Sequence, residues 1–143
     1  MKHASVYLTT SQWLLTSMSR TRAGVWVANF VVHRLTADCG DDELGTTLLA
    51  SLEASQLDVA HPESWTLFHR QLREAINLPG HDLVMARARL VNVELFDSAL
   101  VLTPHRNRGL KAGFEPLSNK QTVALAEAPA LGEAIRLCVA LCQ

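Results

Sequence analysis

The chain has 143 residues, 48% of them hydrophobic and 19% charged, with a formal net charge of -1. This length suits one domain, which buries roughly 70% of the surface its unfolded chain would expose and needs neither metal nor disulfide to hold its core. The composition excludes a disordered chain, and the near-neutral charge argues against a domain that grips nucleic acid through a uniformly basic face. Charge is nonetheless local: Asp38, Asp41, Asp42 and Glu43 lie within six residues, while Arg20, Arg22, Arg106, Arg108 and Lys111 gather in two short segments.

The N-terminus, "MKHASVYLTT", has no long apolar run behind its basic residues, so it does not read as a signal peptide. No stretch approaches the ~20 apolar residues of a membrane-spanning helix. Three cysteines, Cys39, Cys138 and Cys142, suit reduced thiols better than a disulfide framework, and a cytoplasmic location is expected. "ASVYLTT" (4–10) alternates, and "GVWVANFVVHRL" (24–35) is rich in β-branched and aromatic residues; both predict strands. "QWLLTSM" (12–18) continues or pairs with the first, which gives an N-terminal antiparallel meander.

A helix follows, with Asp41 or Asp42 as its cap and Leu44, Leu48 and Leu52 on one face. In residues 61–77, Pro62 suits a first helical position, and Trp65, Phe68, Leu72 and Ile76 form an apolar face closed by Pro79 and Gly80. Asp82 is placed to cap a short helix over 83–89. "VNVELF" (91–96) and "ALVLT" (99–103) predict a hairpin around Asp97-Ser98, with Pro104 ending the second strand or sitting at its edge. "KQTVAL" (120–125) adds a strand, and residues 128–142 close the chain as a helix with Pro129 in its first turn. The order implies an α+β domain: a mostly antiparallel sheet of about five to six strands under three to four helices. Leu44, Gly45, Leu48 and Leu52 are echoed by Leu131, Gly132, Ile135 and Val139, which predicts two helices that pack Leu-Gly-x-x-aliphatic faces on the sheet, with glycine allowing the close approach.

Chemistry-bearing arrangements are sparse. Cys39 has acids beside it and nothing nearby in sequence to lower a thiol pKa. Cys138 and Cys142 share a helix face at metal-ligand spacing, but the stretch is apolar, and a zinc site would need two more ligands. Neither a metal nor a cofactor is implied. Residues 101–117, "VLTPHRNRGLKAGFEPL", combine cations with Gly109 and Gly113, yet Pro116 denies the following helix that a phosphate cradle uses. An RNA-binding or catalytic loop built on His105, Arg106, Asn107 and Arg108 stays open as an alternative.

Residues 17–35 with 41–55, and residues 90–117 with "LGEAIRLCVALC", together resemble immunity proteins of bacterial contact-dependent growth inhibition (CDI) systems. The first pair is similar to the N-terminal half and the second to the C-terminal half. The motifs that carry the likeness are Ser19-Arg20-Thr21, Gly24 with Trp26, Leu44-Gly45, and Thr103-Pro104-x-Arg106-Asn107-x-Gly109 leading to Gly113-Phe114. The resemblance implies a cytoplasmic antidote, not an enzyme, whose partner is the C-terminal toxin domain of a large secreted effector, often a nuclease; neither nucleic acid nor membrane is a direct partner. If the toxin is basic, Asp38, Asp41, Asp42 and Glu43 are the expected steering and rim contacts. Arg20, Thr21, Trp26, Arg106, Asn107 and Phe114 are expected to hold loops and core, with at least one of Arg20 and Arg106 paired with an acid or with backbone carbonyls to fix its loop.

Overall fold

Alternation of apolar and polar residues gives β1 (Lys2–Leu8), β2 (Gln12–Arg20) and β3 (Trp26–Thr36) one face for the core, and the three pair as an antiparallel meander. The computed structural model describes residues 1–143. The chain then leaves the sheet through α1 (Asp41–Glu53), α2 (Trp65–Ile76) and α3 (His81–Met85). It returns as β4 (Arg89–Phe96) beside β1, followed by β5 (Ala99–Asn107). Short strands β6 (Phe114–Pro116) and β7 (Gln121–Ala124) share the outer side of β5, and α4 (Ala128–Val139) closes the fold. The sheet runs β3-β2-β1-β4-β5, with β6 and β7 at the end.

α1 and α4 cover one face. Ala4, Val6, Trp13, Leu15, Val91, Val93, Leu100 and Leu102 rise from the strands to meet Leu44, Leu48 and Leu52 of α1 and Leu131, Ile135, Cys138 and Val139 of α4. The two glycines of the sequence echo lie where these helices cross. A β-carbon at Gly45 would overlap the Ala128 backbone, and one at Gly132 would overlap that of Asp41, so each helix places its fifth residue against the first residue of the other.

Several local expectations change. The N-cap of α1 is Gly40, with no side-chain cap; Asp41, Asp42 and Glu43 instead occupy the first turn, where their charge complements the helix dipole. α2 starts at Trp65 rather than near Pro62, because the Ser64 hydroxyl accepts the Leu67 N–H at 3.2 Å. α3 is capped by Gly80, with Asp82 inside its first turn. β5 runs through Pro104 to Asn107, since Pro104 falls in the gap between β7 and β6: its carbonyl takes the Leu117 N–H on that side, and no ladder donor is lost. β6, the strand containing Pro116, raises the total to seven. The final helix ends at Val139, short of Cys142.

Candidate functional site

The first candidate is the acidic corner at the start of α1. Asp38, Asp42 and Glu43 are exposed, but Asp41 is half-buried and its carboxylate accepts from the Arg136 Nε at 2.6 Å. The same guanidinium donates to the Cys39 carbonyl and lies 5.7 Å from the Trp13 ring centroid. Arg136, an arginine the sequence motifs do not include, ties α4 to the α1 start, and Asp41 already has a structural partner while its three neighbours face solvent. This also amends the expectation for Cys39, which does have a cationic neighbour. Burial nonetheless outweighs Arg136 and holds the thiol above its ordinary pKa, with Glu43 and Asp38 adding to the rise. Burial likewise pushes Cys138 up to about 12, and the Cys142 thiol donates to the Leu90 carbonyl at 3.3 Å.

The second candidate is the set of motif residues. Ser19-Arg20-Thr21 forms a seam with the loop after α1: the Arg20 N–H donates to the Gln56 carbonyl, the Arg20 carbonyl accepts from Val59, and Thr21 bridges Val59 in parallel. The Ser19 hydroxyl receives the Gln56 N–H, and Thr21 Oγ1 lies 3.2 Å from His61 Nδ1. At the other motif, Arg106 forks onto Gln143 Oε1 through Nε and Nη2, and its Nη1 lies 3.8 Å from Glu115, which also pairs with Arg108 at 3.2 Å. The Asn107 amide donates to the Met85 and Ala88 carbonyls at 3.0 and 2.8 Å, while its Oδ1 accepts the Gly109 N–H. Gly109 and Gly113 close the turn with φ of 88° and 69°, values that favour glycine. His105 is buried. Of the four residues in the open alternative, only the two arginines face solvent.

A third feature is a polar layer that no sequence motif marks. On the sheet face away from α1 and α4, the Ser5 hydroxyl donates to Asn92 Oδ1. The Asn92 amide reaches toward His105 Nε2 at 3.4 Å, and His105 Nδ1 donates to the Thr103 carbonyl at 3.0 Å. His3 stands in the same layer, 8% exposed, packed edge-on against Trp26 at 5.1 Å, with both ring nitrogens unpartnered. Burial lowers the pKa of both histidines; for His3, facing Glu94 across the strands opposes that shift. Phe114 packs edge-on against Tyr7 on this face.

The fourth feature is an exposed aromatic ridge. α2 carries the predicted apolar stripe, yet only its Ile76 is buried; Trp65 is 41% and Leu67 43% exposed. Trp65 contacts Phe68, His61 and His69, and Phe68 contacts Phe30 at 5.2 Å between ring centroids. Phe30 comes from a bulge in β3. Asn29 turns inward, its amide donating to Ser17, Ser19 and the Ala54 carbonyl, and its Oδ1 takes the Val31 N–H. That closure drives Phe30 to a φ of 67° and leaves its ring 42% exposed. The sequence gives a periodic apolar face for α2; it carries no signal that the face would stay open, or that Phe30 would join it.

A tightly tied α+β scaffold with an acidic corner and an open aromatic ridge has the attributes of a protein-binding module, whose surface chemistry is that of contact with another macromolecule. The chain belongs to the CDI immunity protein family, whose model matches residues 2–142. No curated protein matches it. Among solved structures it is similar to a protein of unknown function from Neisseria meningitidis, with a TM-score of 0.84 at 17% identity over 99% of this chain and 95% of that one. It is also similar to a chain of the CdiA-CT/CdiI toxin and immunity complex from Yersinia pseudotuberculosis, with a TM-score of 0.84 at 16% identity over 99% and 97%. At these identities the likeness shows the fold. No helix is long and apolar enough to cross a membrane.

Proposed function

We propose that this protein acts in the cytoplasm of the producing cell, where it binds the C-terminal toxin domain of its CDI effector and neutralises it by covering the active site or the path of substrate. The observation that carries this reading is the extent of the family match, residues 2–142, on a scaffold whose helices and loops are tied by specific bonds. Blocking requires a fixed surface of roughly 800 Å² per partner and no catalytic residue of its own. The further proposal that the toxin is a nuclease draws on charge. Asp38, Asp42 and Glu43 project from one corner, and carboxylates so grouped would steer a basic nucleic-acid-cleaving domain.

The test is co-expression with the toxin domain encoded immediately upstream. Survival of the host, with co-purification of the two chains, is expected. Death of the host with a soluble, folded immunity chain would overturn the proposal.

A further inference from the structure

The helices on the two sides of the sheet are attached very differently. α1 and α4 each bury five residues. Between Ala60 and Arg87, by contrast, Ile76 is the single buried side chain, although Trp65, Phe68 and Leu72 share its stripe. No backbone hydrogen bond joins residues 60–88 to the rest of the chain: those donated by Phe68, Asn77, Val84, Ala86, Arg87 and Ala88 all close within the segment.

Side chains hold this segment at its two ends and almost nowhere between. At the entry, His61 Nδ1 lies 3.2 Å from Thr21 Oγ1; at the exit, the Asn107 amide donates to the Met85 and Ala88 carbonyls at 3.0 and 2.8 Å. Along α2 the one bond from outside is donated by the exposed Arg34 to the Ala75 carbonyl at 3.4 Å, long for such a bond. Phe68 meets Phe30 ring to ring at 5.2 Å. Beneath the helix, a cavity of about 200 Å³ separates Phe68 and Leu72 from Tyr7, Met18 and Trp26 of the sheet, so the stripe forgoes much of the dispersion attraction that close packing would give it. α2 and α3 are meanwhile joined to each other. Arg73 pairs with Asp82 at 2.7 Å, and Asn77 and Gly80, with φ of 46° and 65°, shape the turn between them.

We infer that residues 60–87 form a flap that lifts from the sheet as one body, hinged at its two pinned ends, while the face covered by α1 and α4 stays folded. Lifting exposes one buried side chain and breaks one long hydrogen bond, whereas opening the other face would expose the whole core. Few buried apolar contacts and a backbone bonded only to itself are the physical marks of a unit that opens below the global unfolding free energy. The motion uncovers Tyr7, Met18 and Trp26. It leaves the acidic corner in place, because that corner is built on α1, so the molecule has one fixed surface and one that changes shape.

Hydrogen exchange of the full chain, followed by NMR through a urea series below the unfolding transition, tests the flap. Amides of α2 and α3 should exchange at least about a hundredfold faster than the core amides of α1 and α4, and should converge on one shared opening. Ile135→Val, a mild change in the core under α4, should speed α1 and α4 by about threefold or more and leave α2 and α3 as they were, since flap opening keeps that core intact. Wild-type rates decide the matter if the variant does not fold. Protection of α2 equal to that of α1 would show a single cooperative unit and overturn the flap. So would an equal acceleration of α2 by Ile135→Val, or rates graded from the ends of α2 with no shared opening, which is fraying.

Discussion

Gly45 of α1 lies against the backbone of Ala128 in α4, with no room for a β-carbon between them, and Gly132 meets the backbone of Asp41 in the reciprocal way. Alanine is the better helix former by about 1 kcal/mol, so on an isolated helix either glycine-to-alanine change would stabilise. Here the neighbouring atoms belong to backbone, which cannot rotate aside, and overpacking costs typically about 1–3 kcal/mol. Gly45→Ala and Gly132→Ala are each expected to lower unfolding free energy by at least about 1 kcal/mol in urea titrations. A gain in stability at either position would show that the helices are free to separate.

His3 and His105 are buried with depressed pKa values, chiefly because burial disfavours the charged ring. The unfolded chain takes up protons near the ordinary histidine value of about 6.5, while the native state resists until lower pH. Stability is therefore full above that value and is lost as pH falls toward the native pKa. Melting temperature should drop between about pH 7 and about pH 5 beyond what carboxylate titration accounts for. His3→Phe keeps an aromatic ring against Trp26 and deletes two unpartnered nitrogens, so it should flatten this drop and add about 1 kcal/mol at neutral pH. An unchanged pH profile in that variant would assign the acid sensitivity to other groups.

Periodicity made the scaffold legible. Leu44, Leu48 and Leu52 recur at helical spacing and Val91, Val93 and Leu95 at strand spacing, while the glycines of the paired Leu-Gly motifs, expected against the sheet, instead lie where the two helices cross. What stayed hidden depends on long-range geometry. Arg136 meets Asp41 across 95 residues of sequence, so nothing local distinguishes it from Arg20 or Arg106, which attract notice through motif resemblance. The acid run is legible as a cluster, but which member is engaged is decided by a helix folded from the far end of the chain. The ridge was half visible: the stripe of Trp65, Phe68 and Leu72 is periodic, but whether a stripe is buried depends on what the rest of the chain places over it. The bulge that adds Phe30 follows from Asn29 finding Ser17, Ser19 and Ala54, a juxtaposition that only the folded sheet supplies.

In the basic loop, Asn107 should matter more than its charged neighbours. Its side chain makes three hydrogen bonds that join β5 to the α3 end and the Gly109 turn, and alanine would leave two carbonyls and an N–H without it. Asn107→Ala is expected to cost about 2–3 kcal/mol. Arg106 shares Gln143 and Glu115 from a half-exposed position, where solvent screens the charge, and Arg106→Ala should cost no more than about 1 kcal/mol. Denaturant midpoints of the two variants test the order. A larger effect at Arg106 would mean that the strap to Gln143, and not the asparagine, sets the loop.

The acidic corner divides by role. Asp42 and Glu43 are exposed on the first turn of α1 and Asp38 just before it, whereas Asp41 is held by Arg136. Reversing Asp38, Asp42 and Glu43 together to lysine removes a steering field without touching that pair, so toxin association should slow by about tenfold at low salt and lose much of its salt dependence, with little change in dissociation. Asp41→Ala should do the opposite, leaving association near wild type and lowering stability by about 1 kcal/mol, since the pair is only partly shielded from solvent. Arg136→Ala should cost more, about 1–3 kcal/mol, because the Cys39 carbonyl and the Trp13 ring lose the same guanidinium. Stopped-flow association across a salt series, alongside melting curves, separates the two roles. Equal kinetic loss from Asp41→Ala and from the triple reversal would show that the toxin reads the whole cluster and that the Arg136 pair gives way on binding.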